Sequence, residues 1–208
     1  MNRILTSAIF SLTLACSSTV LAQDFQSGEE AYSAGDYAGA FKEWWLLAEQ
    51  GHLRAQMRLG DMFANGQYVT QNNAQAAKWY LSSAEVGNAE AQYNLGLIYS
   101  EGEGVEQDDT KALAWLRLSA NQGHAEAQYN LGAMYWTGLG AVQNVEEALK
   151  WYHLSAEQEN ANAQNNLGWM YLEGEGVDWD FDVGVKWLRS AAELGHASSQ
   201  NSMGLLYR

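Results

Sequence analysis

The chain has 208 residues, with 25 Asp and Glu against 11 Lys and Arg, a formal charge of −14 and a single cysteine. A field of that sign repels phosphate backbones and anionic lipid, which argues against nucleic acid as a partner and toward basic or neutral proteins. Solubility alone is the competing explanation for the acidic surplus.

The chain opens with Arg3, a mostly apolar stretch from Ile4 to Ala15, small residues, and Val20-Leu21-Ala22. This is the layout of a cleaved export signal over 1–22, too short to span a bilayer, and it predicts a mature chain that begins near Gln23 in the periplasm or outside the cell. The alternative is a lipoprotein anchored through Cys16, because Leu12-Thr13-Leu14-Ala15-Cys16 loosely resembles a lipid-modification box. With cleavage after Ala22 the mature chain holds no thiol, so disulfides, cysteine-ligated zinc and thiol nucleophiles are excluded from it. No second apolar stretch suggests a membrane span.

From there the sequence repeats itself. Ala55-Gln56-Met57-Arg58-Leu59-Gly60 returns after 36 residues as Ala91-Gln92-Tyr93-Asn94-Leu95-Gly96, then as Ala127-Gln128-Tyr129-Asn130-Leu131-Gly132 and Ala163-Gln164-Asn165-Asn166-Leu167-Gly168. Fixed spacing of this kind marks units that bury their apolar faces only against the next unit. In each unit Ala91, Leu95 and Tyr99 exemplify the face of a first helix, A, and Ala112, Trp115, Leu116, Ser119 and Ala120 the stripe of a second, B. The pattern predicts an all-α solenoid of antiparallel helix pairs over 23–208. Its units lie near 25–51, 53–87, 89–123, 125–159 and 161–195, and a final helix at 196–208 brings the number of helices to about eleven.

Small residues hold fixed slots. Gly60, Gly96, Gly132, Gly168 and Gly204 share a place inside helix A, where glycine costs on the order of 1 kcal/mol of helix propensity, so a neighbouring backbone is expected to come close. Ala48, Ala84, Ala120, Ala156 and Ala192 on helix B are the expected counterpart. Trp79, Trp115, Trp151 and Trp187, with Tyr99, Tyr135 and Tyr171, fill the space between helices. Gly51, Gly87, Gly123 and Gly195 follow helix B in a left-handed cap, with Glu159 as the exception. Asn72, Asp108, Asn144 and Asp180 cap helix B at its start, and Gln75 and Glu147 are placed to complete capping boxes.

Stretches such as Ala125-Glu126-Ala127-Gln128-Tyr129-Asn130-Leu131-Gly132-Ala133-Met134-Tyr135, followed by Gly138, Gly140 and Glu147-Ala148-Leu149-Lys150-Trp151-Tyr152, resemble the Sel-one-like repeat (SLR), a relative of the tetratricopeptide repeat. The resemblance covers about Phe25 to Arg208. It implies an α/α superhelix used for protein-protein interaction, often in bacterial envelope proteins and assembly or signalling complexes. Tyr68 departs from the pattern where Gly104, Gly140 and Gly176 stand, and Gly184 where Ala76, Ala112 and Ala148 stand. A branch of the family with paired cysteines is associated with penicillin binding or β-lactamase activity, which the cysteine-free mature chain does not inherit.

No catalytic, cofactor or metal site emerges. His52, His124 and His196 share one slot but fall two units apart, too far to share a metal, and read as solvent-facing turn residues; His153 stands alone on helix B. Gly102-Glu103-Gly104-Val105 and Gly174-Glu175-Gly176-Val177 lack the lysine and hydroxyl of a nucleotide loop. Asp178, Asp180 and Asp182 lack the glycine and closing glutamate of a calcium loop. What remains is a surface read from departures. Trp136, Trp169, Trp45 and Trp179 occupy slots that hold Ser, Asp, Arg or Gln in other units, which makes them candidate anchors for a partner. Asn94, Asn130, Asn165 and Asn166 offer amides for a peptide backbone, or else bridge successive helices. Gly60, Ala84, Gly96, Trp115, Ala120, Gly132, Trp151 and Gly168 are read as structural. The expected function is an exported, noncatalytic adaptor for a protein or basic peptide, with a cell-wall carbohydrate or peptidoglycan binder as the first alternative and a hydrolase of β-lactams or cell-wall material as the second.

Overall fold

The computed structural model describes residues 25–206. The expected export signal at 1–22, with Cys16, and the terminal Tyr207 lie outside the described residues. Those residues form eleven helices and no strand. Helix α1 covers 25–33, followed by α2 Tyr37–Glu49, α3 Leu53–Asn65, α4 Asn73–Glu85, α5 Ala89–Glu101, α6 Asp109–Asn121, α7 Ala125–Thr137, α8 Val145–Ala156, α9 Ala161–Glu173, α10 Phe181–Glu193 and α11 Ala197–Leu206. Odd-numbered helices are the A members and even-numbered ones the B members, so the all-α solenoid of helix pairs expected from the spacing is what is observed. No helix among the described residues is long and apolar enough to cross a membrane.

The chain divides into two compact units between Ser83 and Ala84. In the first, Phe25, Trp44, Leu47, Leu59 and Met62 form the core, with Trp44 stacked on Phe25 and in tilted contact with Tyr32. In the second, Leu113, Leu116, Leu131, Met134, Trp151, Tyr152, Leu167 and Met170 form a continuous core that runs through α6 to α9.

Three recurring bonds set how one helix meets the next. The glutamine of the Ala-Gln echo is buried on helix A and donates from Nε2 to the carbonyl of the slot alanine that ends the preceding helix B: Gln56 to Ala48 at 3.1 Å, Gln92 to Ala84 at 2.9 Å, Gln128 to Ala120 and Gln164 to Ala156 at 3.1 Å. Each carbonyl already accepts the turn amide of Gly51, Gly87, Gly123 or Glu159, so the glutamine is its second donor; the bond pairs the buried glutamine amide, which left open would cost about 1–3 kcal/mol. Ser119 and Ser155 donate to the carbonyls of Ala89 and Ala125 at 2.7 Å, tying helix B to the start of its own helix A. Gln122 and Gln158 then donate to the Oε1 of Gln92 and Gln128 at 2.7 Å.

Caps start both kinds of helix. Asn72, Asp108, Asn144 and Asp180 accept the amides of Gln75, Lys111, Glu147 and Val183, as the spacing predicts for helix B. Helix A is capped from the slot of His52, Asn88, His124, Asn160 and His196. The histidines accept through Nδ1 from the amides of Ala55, Ala127 and Ser199 at 3.2 Å, the asparagines through Oδ1 from Ala91 at 2.9 Å and Ala163 at 3.0 Å. This corrects the reading of the histidines as solvent-facing turn residues: the His124 side chain is only 18% exposed and also meets Glu90 at 3.0 Å. Gln75 and Glu147 do not close capping boxes. The amide that a box would satisfy is already spent, since Asn72 and Asn144 donate to the carbonyls of Phe63 and Tyr135 at 2.8 Å. Glu147 instead accepts the indole of Trp151 at 3.1 Å.

The glycine slot is also resolved differently from expectation. What crowds it is a side chain of the paired helix B: a Cβ at Gly60, Gly96, Gly132 or Gly168 would come within 2.4–2.8 Å of Tyr80, Leu116, Tyr152 or Leu188. The backbone approach is there but looser, the nearest being Gly184 O at 3.1 Å from a Cβ at 168, and the alanine slot is engaged with the glutamine ladder instead. Gly204, on α11, the last of the described helices, has open space around it.

Candidate functional site

Helix α9 turns Asn166, Trp169, Met170 and Glu173 to one side, at the i, i+3, i+4, i+7 spacing of a single helical face. They meet Trp136, from the last turn of α7, and Tyr152, from α8, around a cavity of about 140 Å³ whose rim is completed by Glu175 beyond the end of α9. Gly132 leaves room for the ring of Tyr152, whose Cδ1 and Cε1 would lie 2.8 Å from a Cβ at that position. Burial pushes the Tyr152 hydroxyl up to about 12, against a smaller opposing effect of its hydrogen bond with Asn166, so the phenol stays neutral. Trp169 is 39% exposed, and Glu173 and Glu175 stand open to solvent.

A second cavity, of about 170 Å³, is lined by Leu97, Ser100, Leu116, Asn130, Ala133, Met134, Thr137 and Leu139. Adding 36 to Ser100, Leu116, Asn130, Ala133, Met134, Thr137 and Leu139 gives Trp136, Tyr152, Asn166, Trp169, Met170, Glu173 and Glu175. The two are the same pocket, built twice by successive repeats of the second unit with different chemistry. The first is aliphatic and neutral; the second is aromatic and acidic.

The eight candidate anchors divide accordingly. Trp136, Asn166 and Trp169 are brought together in the aromatic pocket, and Asn130 lines the neutral one. Asn130 and Asn166 also bridge helices, through the hydroxyls of Tyr93 and Tyr129. Asn165 accepts from Ser199 of α11 at 2.9 Å, and Asn94 lies half-buried on α5 outside both pockets. Trp45 belongs to an aromatic cluster of the first unit, 5.4 Å from both Phe41 and Trp79 by ring centroid, and packs there. Trp179 stands apart in the segment before α10, 66% exposed. Of the residues read as structural, Ala84 and Ala120 are buried as ladder acceptors, Trp151 is buried in the core and Trp115 is half-buried. His153 is half-buried against Tyr171 and Trp187, and burial lowers its pKa.

Slot comparison alone does not reach Tyr152, Met170, Glu173 or Glu175. The available signal was the pair Leu116 and Tyr152 in one slot and Leu139 and Glu175 in another, read jointly with the tryptophans. Among the described residues no group of three or more His, Asp or Glu side chains is arranged to hold a metal ion.

Comparison with known proteins agrees with this geometry. The family model of the Sel1 repeat matches four times, over 53–88, 89–124, 125–160 and 161–196. A solved protective antigen of uropathogenic Escherichia coli with an SLR fold superposes with a TM-score of 0.84 at 34% identity, over 91% of this chain and 42% of the antigen, so this chain spans less than half of that protein. A Sel1 repeat protein from Oxalobacter formigenes gives 0.82 at 31% identity, over 88% of this chain and 75% of the other. An immunity protein of Pseudomonas aeruginosa shares the fold at a TM-score of 0.54 and 19% identity, over 85% and 68% of the two chains. No curated protein sequence matches the chain.

Proposed function

Because this chain belongs to the Sel1 repeat family, whose repeats generally mediate protein interactions, we propose that it is an exported, noncatalytic adaptor that holds a protein or peptide partner on its second unit. The observation that carries the reading is the doubled pocket. Two preformed cavities one repeat apart, lined by side chains from rigid helices, suit successive side chains of one chain, and preformed sites spare the ordering cost of binding. The acidic balance of the chain favours a basic partner. Export rests on the leader pattern from Arg3 to Ala22, with Cys16 lipidation as the alternative; the mass of the protein recovered from the cell envelope separates the two. An envelope component is the expected partner.

The test is capture from envelope extract on the immobilised chain, beside Trp169→Ala and Trp136→Ser variants. These place in the aromatic pocket the residues that the chain itself uses one repeat earlier, Ala133 and Ser100, so folding is preserved. A protein that binds the wild type as a purified component and loses at least about tenfold in affinity to either variant supports the adaptor. Equal binding by all three removes the pocket from the function. A sugar ligand is the second reading, favoured by the exposed ring of Trp169 beside Asn166; saturable tryptophan quenching by cell-wall glycan fragments, absent in Trp169→Ala, would establish it.

A further inference from the structure

The protein shows within its own surface what an aromatic ring next to a carboxylate attracts. The Arg58 guanidinium lies 5.8 Å from the Trp44 ring while bonding Glu29 at 2.6 and 2.8 Å. The Lys111 ammonium is 5.2 Å from the Tyr99 ring and 3.0 Å from Asp108. Lys150 is 5.0 Å from the Trp151 ring and 3.5 Å from Glu147. The aromatic pocket has the same ingredients, the rings of Trp136, Tyr152 and Trp169 beside Glu173 and Glu175, and no Lys, Arg or His lines it. Among the described residues no cation pairs with either glutamate.

Resting on the adaptor reading, we infer that this pocket takes the cationic head of one Arg or Lys side chain of an extended partner peptide, while the neutral pocket takes an aliphatic side chain of the same peptide. The volume fits: a cavity of about 150 Å³ accommodates a benzene-sized group, and a guanidinium with its last methylene is no larger. Ring faces and carboxylates both attract a cation, and the partial shelter of the cavity strengthens the ring contribution. The neutral pocket, with Leu97, Leu116, Met134 and Leu139 and no charged lining residue, rewards only apolar area. Packed helices lie about 8–10 Å apart and an extended chain advances about 3.3 Å per residue. The two side chains therefore belong about three residues apart.

Two titrations of the full chain test this. Ethylguanidinium is expected to change tryptophan fluorescence saturably and about tenfold more tightly than ethylurea, its neutral relative. The triple variant Trp169→Ala, Glu173→Thr, Glu175→Leu, which writes the neutral pocket's residues into the aromatic one, should remove the difference while keeping the helical circular dichroism of the parent. Equal response to the two probes overturns the cation site, whatever captured partners show. The second titration uses labelled serine-rich octapeptides that carry Leu and Arg three positions apart. Replacing Arg by citrulline should weaken binding about tenfold in the parent and leave the triple variant unchanged, and replacing Leu by Ser should weaken both. Peptides that fail to bind where ethylguanidinium succeeds overturn the peptide as occupant and point to a free cationic ligand.

Discussion

Glu159 holds a backbone φ of 63°, in the slot where Gly87, Gly123 and Gly195 sit at 90–96°. A side chain with a Cβ pays roughly 1 kcal/mol for that conformation, and Glu159 is exposed with no ion pair among the described residues to offset it. Glu159→Gly is therefore expected to raise the melting temperature by about 2–4 °C, measured by thermal unfolding at neutral pH; an unchanged value would mean that the turn relaxes around glycine. A second residue-scale defect lies in the glutamine ladder. Gln122 and Gln158 satisfy Gln92 and Gln128, but thirty residues after Gln164 the chain places Leu194, and the Gln164 Oε1 is buried without a partner. Leu194 is 47% exposed, so Leu194→Gln loses little packing and supplies the missing donor. The expected gain is about 0.5–1.5 kcal/mol, read from chemical denaturation, and a Gln164→Leu background should abolish it.

At the scale of the helix, the cap of helix A couples folding to pH. His52 caps α3 through Nδ1, which must carry a lone pair, while its ring stacks on Phe25 at 5.1 Å. Partial burial, then the charge of Arg54, lowers its pKa below the usual histidine value, so the folded chain binds a proton at His52 less readily than the unfolded chain. The contribution is complete above the unfolded value near pH 6.5 and is lost as pH falls through the lower folded value. His52→Asn imports the cap that Asn88 and Asn160 already make in this slot. The variant should match the wild type at pH 8 and exceed it at pH 5 in melting temperature, whereas parallel curves would show that the imidazole is not titrating in the cap. The helix pairs, the helix-B caps and the left-handed turns were all legible, because each recurs at 36 residues and has a local cause. The helix-A cap was less so: His and Asn alternate in one slot, and only the shared geometry of Nδ1 and Oδ1 makes them equivalent. The buried glutamines were in plain view in the repeated Ala-Gln, yet a recurring polar residue looks the same in sequence whether it faces water or a helix end.

For the whole molecule, the decisive property of the site is convergence, which no single slot reveals. Trp136 and Trp169 stood out because other units hold Ser or Ala there, and the fold brings them to one cavity. Trp45 stood out by the same logic but packs against Phe41 and Trp79, with Phe41 in turn meeting Phe63 and Tyr68, a neighbourhood specific to its own unit. A slot comparison registers a changed residue and is blind to whether its neighbours changed with it. The formal charge of −14 acts on a different quantity from the pocket. A long-range field speeds the encounter with a basic peptide and is screened by salt, whereas contacts in a cavity slow its escape. For a labelled octapeptide of net charge about +3, association measured by stopped flow should slow roughly tenfold between about 0.02 and 0.5 M NaCl, with dissociation changed far less. The Trp169→Ala variant should show the converse, faster dissociation at an unaltered association rate. Association insensitive to salt would reduce the acidic surplus to a solubility device and leave recognition to the pockets alone.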